Sequence, residues 1–322
     1  MDLTTLSAEE VVQASERIAP WVHRTPMMTS RSLDERVGAQ VFVKCEQFQR
    51  VGAFKFRGAC NAIASLSSEE RARGVVTHSS GNHAQALALA ASLHAIPAYI
   101  VMPSNAPQVK RNAVMGYGAE VITCQSNLES RETTAEQVVQ DTGARFIHPY
   151  DDPMIIAGQG TAALEMLDAV TDLDLLIAPV GGGGLISGTC LAAKRPSRKV
   201  SVWGAEPAGA DDAWQSKQQG SLVLQTDPQT IADGLRTSLG ELTWPFVRDQ
   251  VESISRISEE EIVAAMRWAW ERMKLLIEPS SATVLAALEQ PEFKPYQGKK
   301  VGVILSGGNV DLDHLPWQKP SV

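Results

Sequence analysis

The chain has 322 residues, a net charge of −8 and 44% hydrophobic content, enough for one large or two medium domains whose core needs no disulfide or metal staple. The acidic balance, with no Lys/Arg-rich block, argues against a nucleic-acid binder, and no apolar run approaches the ~20 residues of a membrane span. Cys45, Cys60, Cys124 and Cys190 form no C-x-x-C pair and the N-terminus lacks a basic-then-apolar leader, so the expectation is a thiol-reduced cytoplasmic protein with its cysteines packed in the core.

In chain order, Ser7-x-x-Glu10 is a capping box opening a helix to Val22. Residues 23–30, with Pro26, read as an extended loop, and Gln40–Glu46 alternates as a strand. Val51-Gly-Ala-Phe54-Lys55-Phe56-Arg57-Gly58 follows, then a helix through Leu66. From Gly74 strand and helix alternate: strands at 74–79, 97–102, 119–124 and 144–148, helices at 81–93, 107–117 and 130–142. This predicts a parallel sheet with right-handed crossovers. A second series has helices at 158–170, 259–275 and 281–288 and strands at 173–180, 199–206 and 300–305. No linker divides the two series. The fold class expected is α/β with two closely packed lobes, 1–73 with 152–322 and 74–151, each a mostly parallel twisted sheet flanked by helices.

Four stretches carry chemistry. A lysine between two phenylalanines can lie against a flat ring and form an imine with it, and desolvation lowers its pKa toward the range of a nucleophile and base; alone, Lys55 also fits a solvated lysine at a helix start. Pro179-Val-Gly181-Gly182-Gly183-Gly184-Leu185 joins a strand to a helix. Without Cβ atoms its N–H groups can converge on one anion at the helix N-terminus. The spacing is neither G-x-G-x-x-G nor Walker A, so a phosphate monoester fits better than a dinucleotide. Ser79-Ser80-Gly81-Asn82-His83 and Ser306-Gly-Gly-Asn309 end strands, where open α/β sheets place ligands; helix capping by Ser80 or Asn82 is the plainer reading of the first and does not exclude a ligand role. Glu206 and Asp212, with carbonyls between them, offer oxygen ligands for a hard cation or an ordinary acidic loop.

These motifs together resemble the fold-type II pyridoxal-phosphate enzymes, in the group of serine racemases, serine/threonine dehydratases and L-threo-3-hydroxyaspartate ammonia-lyases. The resemblance runs from Thr25-Pro26 to about Asp311 and includes Ile156-Ala-Gly-Gln-Gly-Thr161 and Trp270-Glu-Arg-Met-Lys-Leu-Leu-Ile-Glu-Pro279. It implies the tryptophan synthase β-like architecture. It implies that Lys55 holds pyridoxal 5'-phosphate as an imine, with Phe54 against the ring, Asn82 at the 3-hydroxyl, Gly181, Gly182, Gly183, Gly184 and Leu185 at the phosphate and Ser306 at the ring nitrogen. A hydroxyl there leaves the ring a weaker electron sink than a carboxylate would, which favours β-elimination.

The same resemblance implies Lys55 and Ser80 as the proton-transferring pair, with Ser79, Ser80, Asn82, His83, Arg131 and Ser238 on the substrate. Arg131 could face a second carboxylate or pair with Glu129 or Glu132. Glu206, the Ala210 carbonyl and Asp212 match the group's Mg2+ or Ca2+ site; Mn2+ is the other candidate. Tyr117, Lys274 and Asn309 map to a nucleotide site, although Arg50-Val51 departs from the Lys-Thr pair of ATP-activated members. Tyr150 stands where mammalian racemases have asparagine. The expected activity is dehydration of β-hydroxy-α-amino acids (serine, threonine, 3-hydroxyaspartate) to keto acid and ammonia, with serine racemisation, by a homodimer that touches neither nucleic acid nor membrane. The alternatives are a dedicated serine racemase and, in another class, a non-catalytic amino-acid sensor that carries the cofactor.

Overall fold

A computed structural model describes residues 6–194 and 199–318. Two sheets organise it. The larger contains β1 (Met27–Thr29), β2 (Gln40–Cys45), β7 (Leu175–Pro179), β8 (Ser201–Pro207), β9 (Ser253–Ile257) and β10 (Lys300–Leu305); the smaller contains β3 (Val75–His78), β4 (Ala98–Pro103), β5 (Glu120–Cys124) and β6 (Arg145–Phe146). Their orders are β1-β2-β10-β7-β8-β9 and β5-β4-β3-β6. Every described pairing is parallel except β1 with β2. The expected α/β class is therefore found, with helices flanking each sheet. The central strands β7 and β10 are continuous apolar runs because both faces are covered. The early strand β2 joins the larger sheet, beside β10.

The helix Lys55–Ala64 lies at the seam between the sheets. Phe56, Ala59, Cys60 and Ile63 pack in the core of the smaller sheet with Ala84, Leu87 and Ile100. Its other side meets the helix Pro153–Ala169 at a glycine pair: a Cβ on Gly158 would fall 2.6 Å from the Gly58 Cα. The middle helix meets the next, Gly184–Ala193, the same way, with a Cβ on Gly160 falling 2.6 Å from the Gly188 carbonyl oxygen. Arg57, wholly buried, anchors the same seam. Its Nε donates to Glu46 (2.7 Å) and its Nη1 to Glu165 (2.7 Å), while Lys44 donates to Glu165 (2.5 Å) and to the Thr25 carbonyl (2.7 Å).

Two readings need correction. Residues 23–30 are not all loop: Met27–Thr29 pairs with β2 as an edge strand, the place where a neighbouring Pro26 is tolerated. The helix expected over 259–275 stops at Trp268. A wider turn spans Ala269–Met273, and Lys274 closes it in the left-handed region (φ +59°). Ala265, Met266 and Ala269 stay buried across the change, so apolar spacing alone does not reveal it. The helices Arg31–Val37, Ser68–Arg73, Asp212–Gln219 and Trp244–Gln250 and strand β9 are additions.

Candidate active site

The chain enters the seam helix through a bridge between Ala53 and Gly307 and a hydrogen bond from Phe54 N to the Ser306 carbonyl (2.9 Å). Lys55 thereby sits at the C-terminal end of β10. Its Nζ donates to the Pro149 carbonyl (2.8 Å) and lies 5.2 Å from the Phe54 ring centre and 6.0 Å from that of Tyr150. Burial pushes the amine down to about 8, opposed by the charge of Glu278. The shift makes the neutral amine, the form a nucleophile and base needs, far more populated near neutral pH than in an ordinary lysine.

The four glycines follow β7 and are buried. Among the described residues no protein acceptor receives the N–H groups of Gly181, Gly182, Gly183 or Gly184. Buried orphan donors at the start of a helix are the arrangement that binds a phosphate. Gly183 requires glycine, with φ +87° and the Thr243 side chain where its Cβ would be. The Tyr150 ring lies against Gly182 and its backbone against Gly184, and its phenol is pushed up to about 12 mainly by burial.

At the end of β3, Ser79 Oγ accepts the Gly81 N–H (3.3 Å), and Ser80 is half-buried. Asn82 opens the next helix and donates to both oxygens of Glu278 (3.1 and 3.2 Å), while its own Oδ1 accepts from Asn309 (2.8 Å). His83 is buried with no partner for either ring nitrogen, and desolvation holds it well below its usual value. Ser306 is buried, its hydroxyl 3.1 Å from that of Ser281. Leu185 is buried behind the loop. The structure thus brings Lys55, Asn82, Ser306 and the backbone around them together. Glu278 belongs to the same network and was given no role from sequence. Its carboxyl is pushed up to about 7, chiefly by burial. The only signal was a carboxylate between Ile277 and Pro279.

The remaining candidates lie around this centre. Arg131 Nε is buried without a partner, and no described carboxylate pairs with the guanidinium. Ser238 Oγ accepts the Gln225 N–H (2.7 Å). Glu206 is wholly buried and accepts from Ala213 N (3.0 Å) and Trp214 N (2.9 Å). Asp212 Oδ2 accepts from Leu239 N (3.1 Å), and its Oδ1 is buried without a partner. Burial, and for Glu206 also the charge of Asp212, raises both carboxyls, Asp212 to about 7. An orphan oxygen beside a second buried carboxylate fits a hard cation, although the described residues contain no cluster of three or more His, Cys, Asp or Glu side chains able to hold one. Tyr117 caps the helix Gln108–Gly116, Lys274 donates to the Glu271 carbonyl (2.7 Å), and Asn309 donates to the Val51 carbonyl (2.7 Å); no described hydrogen bond links the three. No described helix is long and apolar enough to cross a membrane.

Comparison with known proteins agrees with this geometry. A family model described as pyridoxal-phosphate dependent enzyme matches residues 18–307. A serine racemase of Dictyostelium discoideum is 48% identical over 97% of this chain and 98% of its own length. The crystal structure of the Dictyostelium serine racemase superposes with a TM-score of 0.92 at 48% identity, covering 96% of this chain and 100% of that one. A beta-hydroxyaspartate dehydratase of Paracoccus denitrificans is 49% identical over 96% of this chain and 98% of its own length. With its reactive amine, glycine loop and near-complete coverage, the chain belongs to the pyridoxal-phosphate dependent enzymes.

Proposed function

We propose that this enzyme is an ammonia-lyase that converts β-hydroxy-α-amino acids to keto acid and ammonia and also racemises serine. The observation that carries the reading is the Lys55 amine, pushed down to about 8 and held at the Pro149 carbonyl, next to a loop of buried, unused glycine N–H groups. When bound, pyridoxal phosphate supplies an electron-withdrawing ring conjugated to the substrate amine. Gly181–Gly184 hold its phosphate, Phe54 walls its ring, and Asn82 and Ser306 meet its polar edges. The Ser79–His83 turn receives the substrate carboxylate. Lys55 removes the Cα proton as general base, and loss of the β-hydroxyl follows. Ser80 returns a proton to Cα from the opposite side when the D-isomer forms.

Unpaired Arg131 supports a substrate with a second carboxylate, such as 3-hydroxyaspartate, the substrate class in the name of the Paracoccus relative. In this reading residues 1–73 and 152–322 form the cofactor lobe and 74–151 the substrate-side lobe. Glu206, the Ala210 carbonyl and Asp212 would hold Mg2+ or a similar hard cation through their oxygens, and the working form is a cytoplasmic homodimer. A nucleotide near Tyr117, Lys274 and Asn309 has no supporting contact. The second reading is a dedicated serine racemase, favoured by the near-complete match to the Dictyostelium protein.

Incubating the enzyme with L-serine and with L-threo-3-hydroxyaspartate, and measuring keto acid against D-isomer, separates the two. Keto acid in excess is expected, and D-serine in excess overturns the lyase reading. Lys55→Ala is expected to lose both products and the absorbance band near ~410–420 nm of a lysine-bound cofactor. A variant that keeps the band would move the attachment elsewhere.

A further inference from the structure

We infer that Thr243 is the positioning residue of the phosphate cradle. Its hydroxyl pins the Gly182–Gly183 peptide so that the Gly183 N–H is presented to the cofactor's phosphate. The inference rests on the glycine loop being the phosphate site.

Thr243 is wholly buried just before the helix Trp244–Gln250. Its Oγ donates to the Gly182 carbonyl at 2.8 Å; the Gly240 carbonyl, at 3.2 Å, is the poorer acceptor for the same proton. The C=O and N–H of a trans peptide point in opposite directions, and the described residues contain no cis peptide bond. Fixing the Gly182 oxygen on the Thr243 side therefore aims the Gly183 N–H at the other side of the loop, where it meets no protein acceptor. Thr243 also packs closely on this glycine, since a Cβ on Gly183 would lie 2.7 Å from both Cβ and Oγ of Thr243.

Thr243 is itself immobilised. Its Oγ accepts the Gly240 N–H (2.8 Å). Asp151 Oδ1 accepts the N–H groups of Leu242 (2.9 Å) and Thr243 (3.3 Å), and Asp212 Oδ2 accepts that of Leu239 (3.1 Å). Four N–H groups of the segment 239–243 thus end on side-chain oxygens. A glycine loop free to adopt many conformations is held in one of them by a hydroxyl on a segment that cannot yield.

The test compares Thr243→Val, which keeps the shape, with Thr243→Ser, which keeps the hydroxyl. Apoenzyme of each is titrated with pyridoxal phosphate by fluorescence, its thermal midpoint is measured, and the phosphorus NMR resonance of the bound cofactor is recorded. Thr243→Val is expected to weaken cofactor affinity by roughly tenfold, the scale of a lost buried hydrogen bond with its partner left unsatisfied, and to move the resonance. Thr243→Ser is expected to stay within about twofold of the wild type. If apo Thr243→Val does not fold, Thr243→Ala takes its place in the same comparison. Wild-type affinity and resonance in the hydroxyl-less variant would overturn the assignment, as would equal losses in both variants, which would leave only packing. Failure of the wild-type chain to take up pyridoxal phosphate would overturn the cofactor reading and this assignment with it.

Discussion

At the scale of single residues, the site is a set of groups kept away from their ordinary ionisation. Lys55 is pushed down to about 8 and Glu278 up to about 7, both mainly by loss of water. For Glu278 the folded protein holds the proton more tightly than the unfolded chain, so stability falls as pH rises from the ordinary value of 4.5 to about 7. Glu278→Gln lacks this fall. Its thermal midpoint relative to wild type is expected to be higher at about pH 8 than at about pH 5, and an equal difference at both would show that Glu278 is not held neutral. For Arg131, Arg131→Ala is expected to lower kcat/KM for 3-hydroxyaspartate by roughly 10- to 100-fold, the worth of a charge-assisted contact, and to change that for serine far less. Equal losses on both substrates would remove the second-carboxylate role. Lys55 stood out in the sequence only in combination, Phe54 beside it together with the glycine loop, the Ser79–His83 turn and Ser306, since the lysine stretch alone also fits a solvated helix start. Glu278 did not, because burial of a carboxylate is decided by Asn82 and Asn309, respectively 196 and 31 residues away in the chain.

At the scale of elements, the seam helix is fixed by a buried ion network more than by its own propensity. Arg57 has two carboxylate partners in Glu46 and Glu165, and Lys44 shares the second. Removing one member leaves an uncompensated buried charge, so Arg57→Leu is expected to cost about 3–5 kcal/mol in a urea denaturation series; a loss below about 1 kcal/mol would mean that water reaches the carboxylates. The alternation of strands and helices after Gly74 was plain because each strand is an apolar run between turn residues. Strand β9 was not, since Ser253-Ile-Ser-Arg-Ile alternates on the sheet edge and carries little apolar weight. The short helices Arg31–Val37 and Trp244–Gln250 were missed for a related reason: at 7 residues each, they are too short to show a period.

At the scale of the whole molecule, Asp212 of the acidic pair is tied to the phosphate cradle through the segment 239–243, where it accepts the Leu239 N–H. A cation bound only by the folded protein stabilises it by mass action, about 2.7 kcal/mol at a hundred times its dissociation constant. Mg2+ is expected to raise the thermal midpoint, EDTA to lower it, and Asp212→Asn to abolish both responses. A wild-type enzyme indifferent to Mg2+ and EDTA would leave the pair as a structural acid cluster. The division into two sheets was readable from the two strand series, but their joining through one shared helix was not, because that depends on contacts at Gly58, Gly158, Gly160 and Gly188 that no local pattern announces.

Those four glycines carry a further consequence. Helix touches helix backbone to backbone at both pairs, so the spacing from the helix that bears the amine to the helix that begins at the phosphate loop is ruled off by two contacts with almost no compliance. A survey of random substitutions scored only by activity would therefore flag Gly58, Gly158, Gly160 and Gly188 alongside Lys55, although none of the four has a side chain to lose.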